Sequence, residues 1–527
     1  MSLGSYFTTV LSLVTVAVAS IGPISTLLLT NTNISPDGQT RAASLVNGVH
    51  PAPVIIAKKG DEFRVNVVND LTDTQQTLGT SIHWHGLFQQ GTNFMDGTAG
   101  VTQCPIAPGD SFLYSFKADQ AGTFWYHAHF GVQYCDGVRG ALIIQDPSDP
   151  LQSFYDVDDA CSAETTVIAL SEWYHELAPS IKGIPLADTT LINGKGRFPG
   201  GPDAELSVVN IQHGKRYRLR LVSMSCDPNF TFSIDEHDLL VIESDGQATL
   251  PHSVNSIQIF AGQRYSVVLI ANQPVDNYWI RALPNSGNRN LSTTFENGVN
   301  SAILRYGGAP NTEPKSQQIN TSLLKEADLH PLLNPAAPGL PTANGADVTF
   351  NLDLYFDEKA FRFKINNDSF TPPTVPILLQ ILSGARNAHD LLPRGGVLTV
   401  ERNKVVQVNI PSGLTGGPHP FHLHGHSFSV VKSADSQYNF YNPVRRDVVS
   451  AGDTQGDFVA IRFRTDNPGP WIFHCHIDFH LNDGLAIVFA EAPGQTSAAV
   501  SSRPADWDQL CPTWDALPDS VKATHPY

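Results

Sequence analysis

The sequence predicts an all-β protein made of consecutive sandwich-like domains. Three stretches follow a turn glycine and place apolar residues at every second position: FRVNVVND (63–70), YRLRLVS (217–223) and YSVVLIAN (265–272). Successive side chains of a strand point to opposite faces, so this alternation is typical of strands that bury one face. Predicted helices are few and short, and 41 glycines and 37 prolines punctuate the chain. These observations together favour β-sandwiches.

The length of 527 residues predicts several domains, because one hydrophobic core stops growing at about 250–300 residues. Two changes of composition mark boundaries. Residues 145–161 are polar and lose the alternation, and residues 307–345 are rich in Pro, Gly and Asn. We therefore expect three domains of sandwich size, at 20–150, 151–320 and 321–527.

The composition and charge of the chain argue against several classes of partner. Hydrophobic residues make up 41% of the sequence and charged residues 16%, which indicates a well-folded protein. The formal net charge of −17 disfavours nucleic acids and anionic membranes, whose phosphates attract Lys and Arg. No later stretch is long and apolar enough to span a bilayer. Small or neutral partners fit better, and we expect a monomer.

The N-terminal segment predicts secretion. Residues 1–19 contain no charged side chain, and their apolar stretch ends in the small-residue sequence AVA. This pattern is typical of a cleaved signal peptide, and a buried N-terminal strand is the alternative. An extracellular protein can carry N-linked glycans. The sequence offers five acceptor motifs, at Asn33, Asn229, Asn290, Asn320 and Asn367.

Four His-x-His pairs stand out among the 19 histidines. In a strand, residues two apart point to the same side, so each pair offers two imidazoles to one site. A single pair would be read as coincidence or as core histidines, but four pairs are not explained that way. Imidazole binds zinc, copper, iron or nickel, and eight imidazoles exceed the needs of one ion. We expect a metal cluster between the first and last domains, built from His83, His85, His127, His129, His422, His424, His474 and His476.

The stretch HCHIDFH (474–480) indicates a second metal site beside this cluster. Cys475 lies between two paired histidines, so in an extended segment its thiol points away from them. His419 and His480 are left over, and two His with one Cys are the ligands of a blue-copper electron-transfer site. Zinc is the alternative for these ligands, but zinc would not explain the eight imidazoles alongside. Copper at Cys475 would make the backbone a short electron path to the cluster.

At these residues the chain resembles the multicopper oxidases, and most closely the secreted fungal laccases. The resemblance covers essentially the whole chain after residue 19. Its most specific motifs are HWHGLFQQGTNFMDGTAGVTQCPI (83–106), GTFWYHAHFGVQYCDGVRGALII (122–144), GPHPFHLHGHSF (417–428) and GPWIFHCHIDFHLNDGLAIVF (469–489). It implies three cupredoxin-like Greek-key domains with a trinuclear copper cluster between the first and third. It also implies one-electron oxidation of phenols and aromatic amines at a type 1 copper, coupled to four-electron reduction of dioxygen to water.

The resemblance assigns four copper ions to the predicted ligands. The type 1 copper takes His419, Cys475 and His480, and the type 2 copper takes His83 and His422. One type 3 copper takes His85, His127 and His476, and the other takes His129, His424 and His474. The family's axial position falls on Leu485, which cannot coordinate. This implies an intermediate type 1 potential, above that of a Met-ligated site.

The resemblance also pairs four of the six cysteines: Cys104 with Cys511, and Cys135 with Cys226. Six cysteines in an oxidising compartment could form three disulfides, but the use of one cysteine for copper leaves an odd number. Cys161 is the cysteine left over. We expect a buried free thiol there, with an intermolecular bridge as the alternative.

Two carboxylates are candidates for proton transfer. Asp227 matches a family residue that lies beside a type 1 histidine and takes up the phenolic proton; a loop-capping Asp is the alternative. Asp96 matches a carboxylate near the cluster and is a candidate relay for oxygen reduction, with a turn Asp as the alternative. Asp478 is expected to hold a ligand in orientation. His426 is assigned to structure, because the ligand set is complete without it.

The presumed substrate rim departs from the family pattern at two positions. Asn285 fits the family's substrate loop, but Ser286 follows where a Phe often lines the pocket. Asn482 replaces a frequent acidic residue. These departures bear on substrate range and pH profile and leave the copper chemistry unchanged. Lignin breakdown, pigment synthesis and detoxification all fit such an enzyme.

Three other functions are the alternatives to a laccase. A metal oxidase such as a ferroxidase needs acidic companions for Asp227 at the rim, and the sequence offers no clear one. An ascorbate-type oxidase is expected to carry Met where this chain has Leu485. A non-catalytic copper protein with a decayed oxidase fold would lack ligands, whereas all eleven are present.

Overall fold

Three β-sandwiches follow one another along the chain, as the all-β prediction expects. The structure is a computed structural model and describes residues 20–159, 166–287, 294–318, 322–500 and 502–523. The predicted signal segment 1–19, Cys161 and the acceptor motifs at Asn290 and Asn320 lie outside these residues. The predicted fold class is confirmed, whereas the three exact domain ranges stay a prediction.

The first sandwich is built from two four-stranded sheets. Its strands are Ile24–Ile34 (β1), Arg41–Val46 (β2), Ala52–Lys58 (β3), Glu62–Asn69 (β4), Ile82–His85 (β5), Ser111–Lys117 (β6), Gly122–Ala128 (β7) and Arg139–Gln145 (β8). One sheet has the order β2-β1-β4-β6 and the other β3-β8-β7-β5. The predicted alternation at 63–70 is present in β4, where every second side chain is buried.

The second sandwich is built from a six-stranded and a five-stranded sheet. Its strands are Val167–Trp173 (β9), Thr189–Ile192 (β10), Val208–Ile211 (β11), Arg216–Ser223 (β12), Phe230–Ile234 (β13), Leu239–Ser244 (β14), Gln247–Val254 (β15), Ser256–Ile259 (β16), Arg264–Ile270 (β17), Asn277–Pro284 (β18) and Ser301–Tyr306 (β19). The sheets have the orders β10-β9-β12-β17-β14-β15 and β11-β19-β18-β13-β16.

Strand β12 differs from the simple pattern of one buried and one exposed face. Its sequence alternates as predicted, yet nearly every residue is buried. The polar face is covered because it lies against the first sandwich, where Arg220 donates to the Thr123 hydroxyl at 2.8 Å. Arg220 also pairs with Asp158 at 2.6 Å. Buried charges persist only when they are paired in this way.

The third sandwich is built from two five-stranded sheets and a separate hairpin. Its strands are Val348–Asn351 (β20), Leu354–Asp357 (β21), Arg362–Ile365 (β22), Val397–Val400 (β23), Val405–Pro411 (β24), Pro420–Leu423 (β25), Phe428–Lys432 (β26), Arg445–Arg446 (β27), Val448–Ser450 (β28), Phe458–Arg464 (β29), Gly469–Cys475 (β30) and Ala486–Glu491 (β31). The sheets have the orders β20-β24-β29-β26-β27 and β23-β31-β30-β25-β28, and β21 pairs with β22.

The helices are short, as predicted. The α-helices are Ile377–Leu382 (α1), Asp478–Asn482 (α2), Pro493–Ala499 (α3), Ala505–Asp515 (α4) and Asp519–Lys522 (α5). Short 3-10 helices span Asn93–Met95, Gln133–Asp136, Gln152–Phe154, Ala178–Ser180, Glu296–Gly298, Glu326–Asp328 and Ala388–Asp390. Within the described ranges, no helix has the length and apolar character needed to cross a membrane.

Helix α4 returns to the first sandwich, although it follows the third along the chain. The Trp507 indole donates to the Thr102 carbonyl at 3.1 Å, and Cys511 forms a disulfide with Cys104. Buried residues of α4 belong to the same apolar core as β4 and β7. The first and third sandwiches are therefore joined at their shared boundary, where the histidine motifs lie.

Candidate metal centres

The eight paired histidines lie at the ends of four strands that meet between the first and third sandwiches. In the first sandwich, β5 pairs with β7 and sets His83 opposite His127. In the third, β25 pairs with β30 and sets His422 opposite His474. The other histidine of each pair lies two residues further along the chain. Because side chains two apart share one face, all eight rings point into one space.

Rings from the two sandwiches stack directly on each other. The centroids of His83 and His424 lie 3.8 Å apart, as do those of His85 and His422. The eight side chains are buried, and the most accessible is 8% exposed. Their donor atoms form three groups, each within 4.8 Å: His83, His85 and His422; His85, His127 and His476; and His129, His424 and His474.

The ring nitrogens are oriented so that one atom of each ring remains available. Nδ1 of His83 donates to the Asp96 carbonyl and Nδ1 of His422 to the Asp447 carbonyl, both at 2.8 Å. Burial lowers the pKa of His474 to about 3, so its ring is neutral. Neutral imidazoles are the form that transition metals bind. Of the eight cluster rings, those of His83, His127, His129 and His422 have a buried Nε2 with no hydrogen-bond partner.

A second group of donor atoms lies next to this cluster. The Sγ of Cys475 is 3.5 Å from Nδ1 of His419 and 3.8 Å from Nδ1 of His480, and the two nitrogens are 3.1 Å apart. Bonds of about 2.0–2.3 Å to a first-row metal, roughly 100–120° apart, would separate donor atoms by about 3.1–3.8 Å. The three atoms thus fit one trigonal metal ion.

Burial raises the pKa of the Cys475 thiol well above its usual range. A cation at this position would favour the thiolate, because the thiolate is the metal-binding form. His419 is oriented towards the same metal position. Its Nε2 donates to the Thr415 carbonyl at 3.2 Å, so its Nδ1 faces the Cys475 sulfur. The residue at the family's axial position, Leu485, is buried and its carbonyl accepts the Cys475 backbone N–H at 3.0 Å.

Cys475 connects the two groups through its neighbours in the chain. His474 belongs to the group with His129 and His424, whereas His476 belongs to the group with His85 and His127. The Cys475 thiol faces the other way, towards His419 and His480. One extended segment therefore serves three separate groups of donor atoms.

Comparisons with known proteins agree with this arrangement. Three family models described as multicopper oxidase match residues 28–149, 164–309 and 370–495. The chain belongs to the multicopper oxidase family. It is 54% identical over 517 residues to Laccase-2 of Pleurotus ostreatus, with 96% of this chain and 95% of the relative covered. It is 55% identical over 515 residues to the laccase of Pycnoporus cinnabarinus, with 97% of each covered.

The chain is also similar to a solved structure over nearly its full length. The crystal structure of the laccase from Botrytis aclada superposes with a TM-score of 0.79 at 33% identity, covering 95% of this chain and 93% of that one. Membership of the family makes this chain a copper-binding oxidoreductase with three cupredoxin-like domains. The eleven predicted ligands of this multicopper oxidase are the residues that the fold brings together.

The predicted ligand His480 is largely buried. His480 lies in α2 and is 8% exposed. The ring of Phe363 on the β21–β22 hairpin packs against it at 4.5 Å between centroids. A Cβ at Gly416 would lie 3.2 Å from the His480 ring and 3.8 Å from the Phe363 ring, so the absence of a side chain here lets the backbone pass close to both rings.

Asp227 is buried and shielded from water. A Cβ at Gly287 would lie 2.5 Å from the Asp227 carboxyl carbon, so that loop folds closely over it. Burial, with the charge of Glu172 as the second cause, raises the pKa of Asp227 to about 8. The backbone N–H of Asp478 in α2 donates to the carbonyl of Cys226, the residue before Asp227. Asp227 is therefore positioned next to the helix that carries His480.

Asn285 and Ser286 lie over the same region, and the structure corrects one prediction there. Asn229 is 2% exposed. Its amide donates to the Ser286 hydroxyl at 2.9 Å and accepts from the Asn285 amide at 2.9 Å. A glycan needs a free and exposed amide nitrogen, so the acceptor motif at Asn229 is wrong as a glycosylation candidate. Asn33 and Asn367 are exposed, and their glycosylation stays a prediction.

Asp96 contacts the histidine cluster directly. Its Oδ2 accepts from Nδ1 of His424 at 2.9 Å and from the Thr98 hydroxyl at 2.7 Å. Its backbone carbonyl accepts from His83 at 2.8 Å. Asp96 thus orients rings from two sandwiches. Partners of this kind fix the tautomer and orientation of metal ligands.

Asp447 is a further carboxylate at the cluster that the sequence did not reveal. Its Oδ1 accepts from Nε2 of His85 at 3.1 Å, and its carbonyl accepts from His422 at 2.8 Å. Its only local signal is its position after two arginines, which does not indicate this role. Asp478, for which ligand orientation was predicted, instead has its Oδ2 at 3.5 Å from Cys135 Sγ.

The remaining predictions concern structural residues. Both implied disulfides are present, Cys104–Cys511 and Cys135–Cys226. His426 lies outside the groups of donor atoms and pairs with Glu491, with Nε2 2.9 Å from the carboxylate.

Proposed function

We propose that this multicopper oxidase is a laccase, which oxidises phenols and aromatic amines by single electrons and reduces dioxygen to water. Similarity to laccases over nearly the full length supports the proposal. The observation that carries it is the position of Cys475. Its thiol joins His419 and His480, while both of its neighbours in the chain belong to the histidine cluster. Four copper ions fill these sites in the proposal, one with Cys475 and three within the cluster.

Copper bound at these sites supplies the one-electron redox chemistry. The protein leaves 8% of His480 accessible, and in this proposal an aromatic substrate lies against that part of the ring. Asp227 takes up the phenolic proton while the electron leaves, because the radical cation of a phenol is a far stronger acid than the phenol. Asp96 and Asp447 hold the cluster histidines in their tautomers. Asn285 lines the substrate loop, and Leu485, which has no donor atom, would leave His419, Cys475 and His480 to hold the copper.

We further propose that the chain is secreted, with residues 1–19 as the signal peptide, and that it acts as a monomer. Two disulfides support an oxidising compartment. Asn33 and Asn367 are the glycan acceptors in this proposal, since both are exposed. Dioxygen and small aromatic compounds are the partners, and nucleic acids and membranes are not.

Oxygen uptake by the purified protein tests the activity. With a simple methoxyphenol, we expect one dioxygen to be consumed for every four phenols, and no oxygen to return when catalase is added. Cys475→Ser is the matched variant: it should lose the visible thiolate-to-copper band and phenol oxidation while the histidine cluster keeps its copper. Hydrogen peroxide as the product would contradict the four-electron reaction.

Ferrous ion serves as the second donor in the same assay. If the protein consumed oxygen with ferrous ion and not with the phenol, the copper sites would stand and the function would be metal oxidation. If a copper-replete sample consumed oxygen with neither donor, the enzymatic proposal would fail.

A further inference from the structure

The second sandwich supplies none of the eleven predicted ligands, yet it contacts the cluster through Arg264 at the start of β17. This side chain is fully buried. Its Nη1 and Nη2 donate to the two carboxylate oxygens of Asp447 in the third sandwich, each at 2.6 Å. Its Nε donates to the Thr123 carbonyl in the first sandwich at 3.0 Å. One guanidinium therefore joins all three sandwiches.

The carboxylate that Arg264 holds is in turn bonded to a cluster histidine. Asp447 Oδ1 lies 3.1 Å from Nε2 of His85. Because a carboxylate can only accept, this nitrogen carries the proton, and Nδ1 of His85 is left to face Nε2 of His476 at 3.2 Å. His83 and His422 have the opposite tautomer, with Nδ1 protonated and Nε2 available. The reversed tautomer of His85 thus depends on Asp447.

The loop before Arg264 also lies directly against the cluster. A Cβ at Gly262 would approach a His476 ring carbon to 2.8 Å and a His85 ring carbon to 3.1 Å. Gly262 has φ +82°, a backbone conformation that favours glycine. The Gly262 carbonyl accepts from Arg264 Nη1 at 2.9 Å. The same loop therefore packs on the rings of His85 and His476 and provides the arginine that orients one of them.

Arg264 has little freedom to leave this position. Its backbone N–H donates to Asp245 Oδ1 at 2.8 Å, and Asp245 Oδ2 accepts from Nε of Arg446 at 2.9 Å. Arg446 in turn pairs with Glu326 at 2.6 Å. Negative and positive groups thus alternate from the partly exposed Glu326, through Arg446, Asp245 and Arg264, to Asp447. A buried arginine with a two-pronged carboxylate partner is the strongest form of such a pair.

We propose that Arg264 is a positioning residue of the histidine cluster: by clamping Asp447 it fixes the ring of His85, so that the second sandwich controls how firmly the cluster retains copper. This inference rests on the proposed copper cluster. Arg264 touches neither substrate nor metal ligand in this role and acts through its contact with Asp447. Removing a partner that orients a metal ligand typically lowers metal affinity by about 10- to 100-fold.

Copper retention by the purified holoenzyme tests the proposal. Arg264→Gln and Arg264→Lys are incubated with increasing chelator, desalted and assayed for bound copper. The visible band of the Cys475 site and the near-ultraviolet absorption of the coupled coppers are read on the same samples. We expect Arg264→Gln to lose cluster copper at about 10- to 100-fold lower chelator, with the visible band retained. The chelator concentration at which Arg264→Lys loses cluster copper should lie between those of Arg264→Gln and the unsubstituted protein. A lysine keeps the charge, but its ammonium group lacks the planar fork of the guanidinium.

Arg281 is the matched control. It lies in the second sandwich, is largely buried, and makes the same two-pronged contact with Asp235, at 2.7 Å for each bond. Arg281→Gln is expected to retain cluster copper as the unsubstituted protein does. If Arg264→Gln and Arg281→Gln lost copper equally, or if Arg264→Gln kept it, the proposal would be overturned.

A double substitution tests whether the effect passes through Asp447. Asp447→Asn should lose cluster copper like Arg264→Gln, and the two together should be no worse than either alone. If the double variant lost copper retention by the sum of the two single effects, Arg264 would not act through Asp447. If Arg264→Gln does not fold, copper retention by Arg264→Lys and Asp447→Asn is compared with that of Arg281→Gln instead. An unsubstituted protein that bound no copper would refute the proposed function instead.

Discussion

Asp227→Asn is expected to slow phenol oxidation by an amount that depends on pH. Asp227 accepts the phenolic proton only when it is ionised, and burial together with Glu172 raises its pKa to about 8. Below pH 8, the ionised fraction therefore grows as pH rises. Asn cannot accept a proton at any of these pH values. The ratio of kcat/KM between the unsubstituted enzyme and Asp227→Asn must therefore also grow with pH.

The size of the effect follows from the ionised fraction. With a pKa of about 8, Asp227 is about 1% ionised at pH 6 and about 10% ionised at pH 7. A positioned general base contributes roughly 100- to 10,000-fold. Weighted by ionisation, the advantage over Asp227→Asn is about 1- to 100-fold at pH 6 and about tenfold larger at pH 7.

The assay compares kcat/KM for a phenol and for ferrocyanide, which gives up an electron without a proton. The ratio of unsubstituted to Asp227→Asn enzyme should rise with pH for the phenol and stay constant for ferrocyanide. Asp357→Asn is the control, because Asp357 is a carboxylate on the nearby hairpin that pairs with Lys364 at the surface. A ratio independent of pH, or an equal loss with both donors, would refute the proton-acceptor role.

Three other outcomes are expected. Replacing Cys104 and Cys511 by Ala should destabilise the protein by about 2–5 kcal/mol, visible as a lower midpoint of thermal inactivation, because a bridge closing a long loop restricts the unfolded chain. Secreted Asn33→Gln should lose one glycan mass, whereas Asn229→Gln should leave the glycan mass unchanged because Asn229 is buried; a lost glycan there would contradict the buried position. Gly416 has φ +86°, so Gly416→Ala strains this loop for every substrate, but the methyl group added beside the His480 ring should also lower kcat/KM for bulky phenols more than for small ones; equal effects on both would argue against a substrate that lies beside Gly416.

The parts of the site that follow a local pattern could be predicted from the sequence. His83 and His85 share a strand face because they are two residues apart, and Cys475 faces away from its neighbours for the same reason. The alternation at 63–70 likewise predicted β4. Such features depend only on the geometry of a strand, so a short stretch of sequence is enough to predict them.

The parts that depend on distant pairing could not be predicted. Arg264 and Asp447 are 183 residues apart, and Asp447 and His85 are 362 apart. No local pattern links them, and the reversed tautomer of His85 exists only because these groups meet. Burial is equally non-local: Asn229 carries a complete acceptor motif and is unsuitable because the loop with Ser286 covers it. The polar face of β12 is hidden by a neighbouring sandwich for the same reason.

The disulfide between Cys104 and Cys511 closes residues 104–511 into a ring of covalent bonds that contains the second and third sandwiches and strands β6–β8 of the first. Most residues of the segment between the second and third sandwiches, at 331–347, are at least partly exposed. A protease that cut there would yield two fragments that stay tethered at a high effective concentration. The nicked enzyme should run as one chain until a reductant is added. Its two half-sites would re-form after transient separation, so a broken backbone would not by itself release the metal.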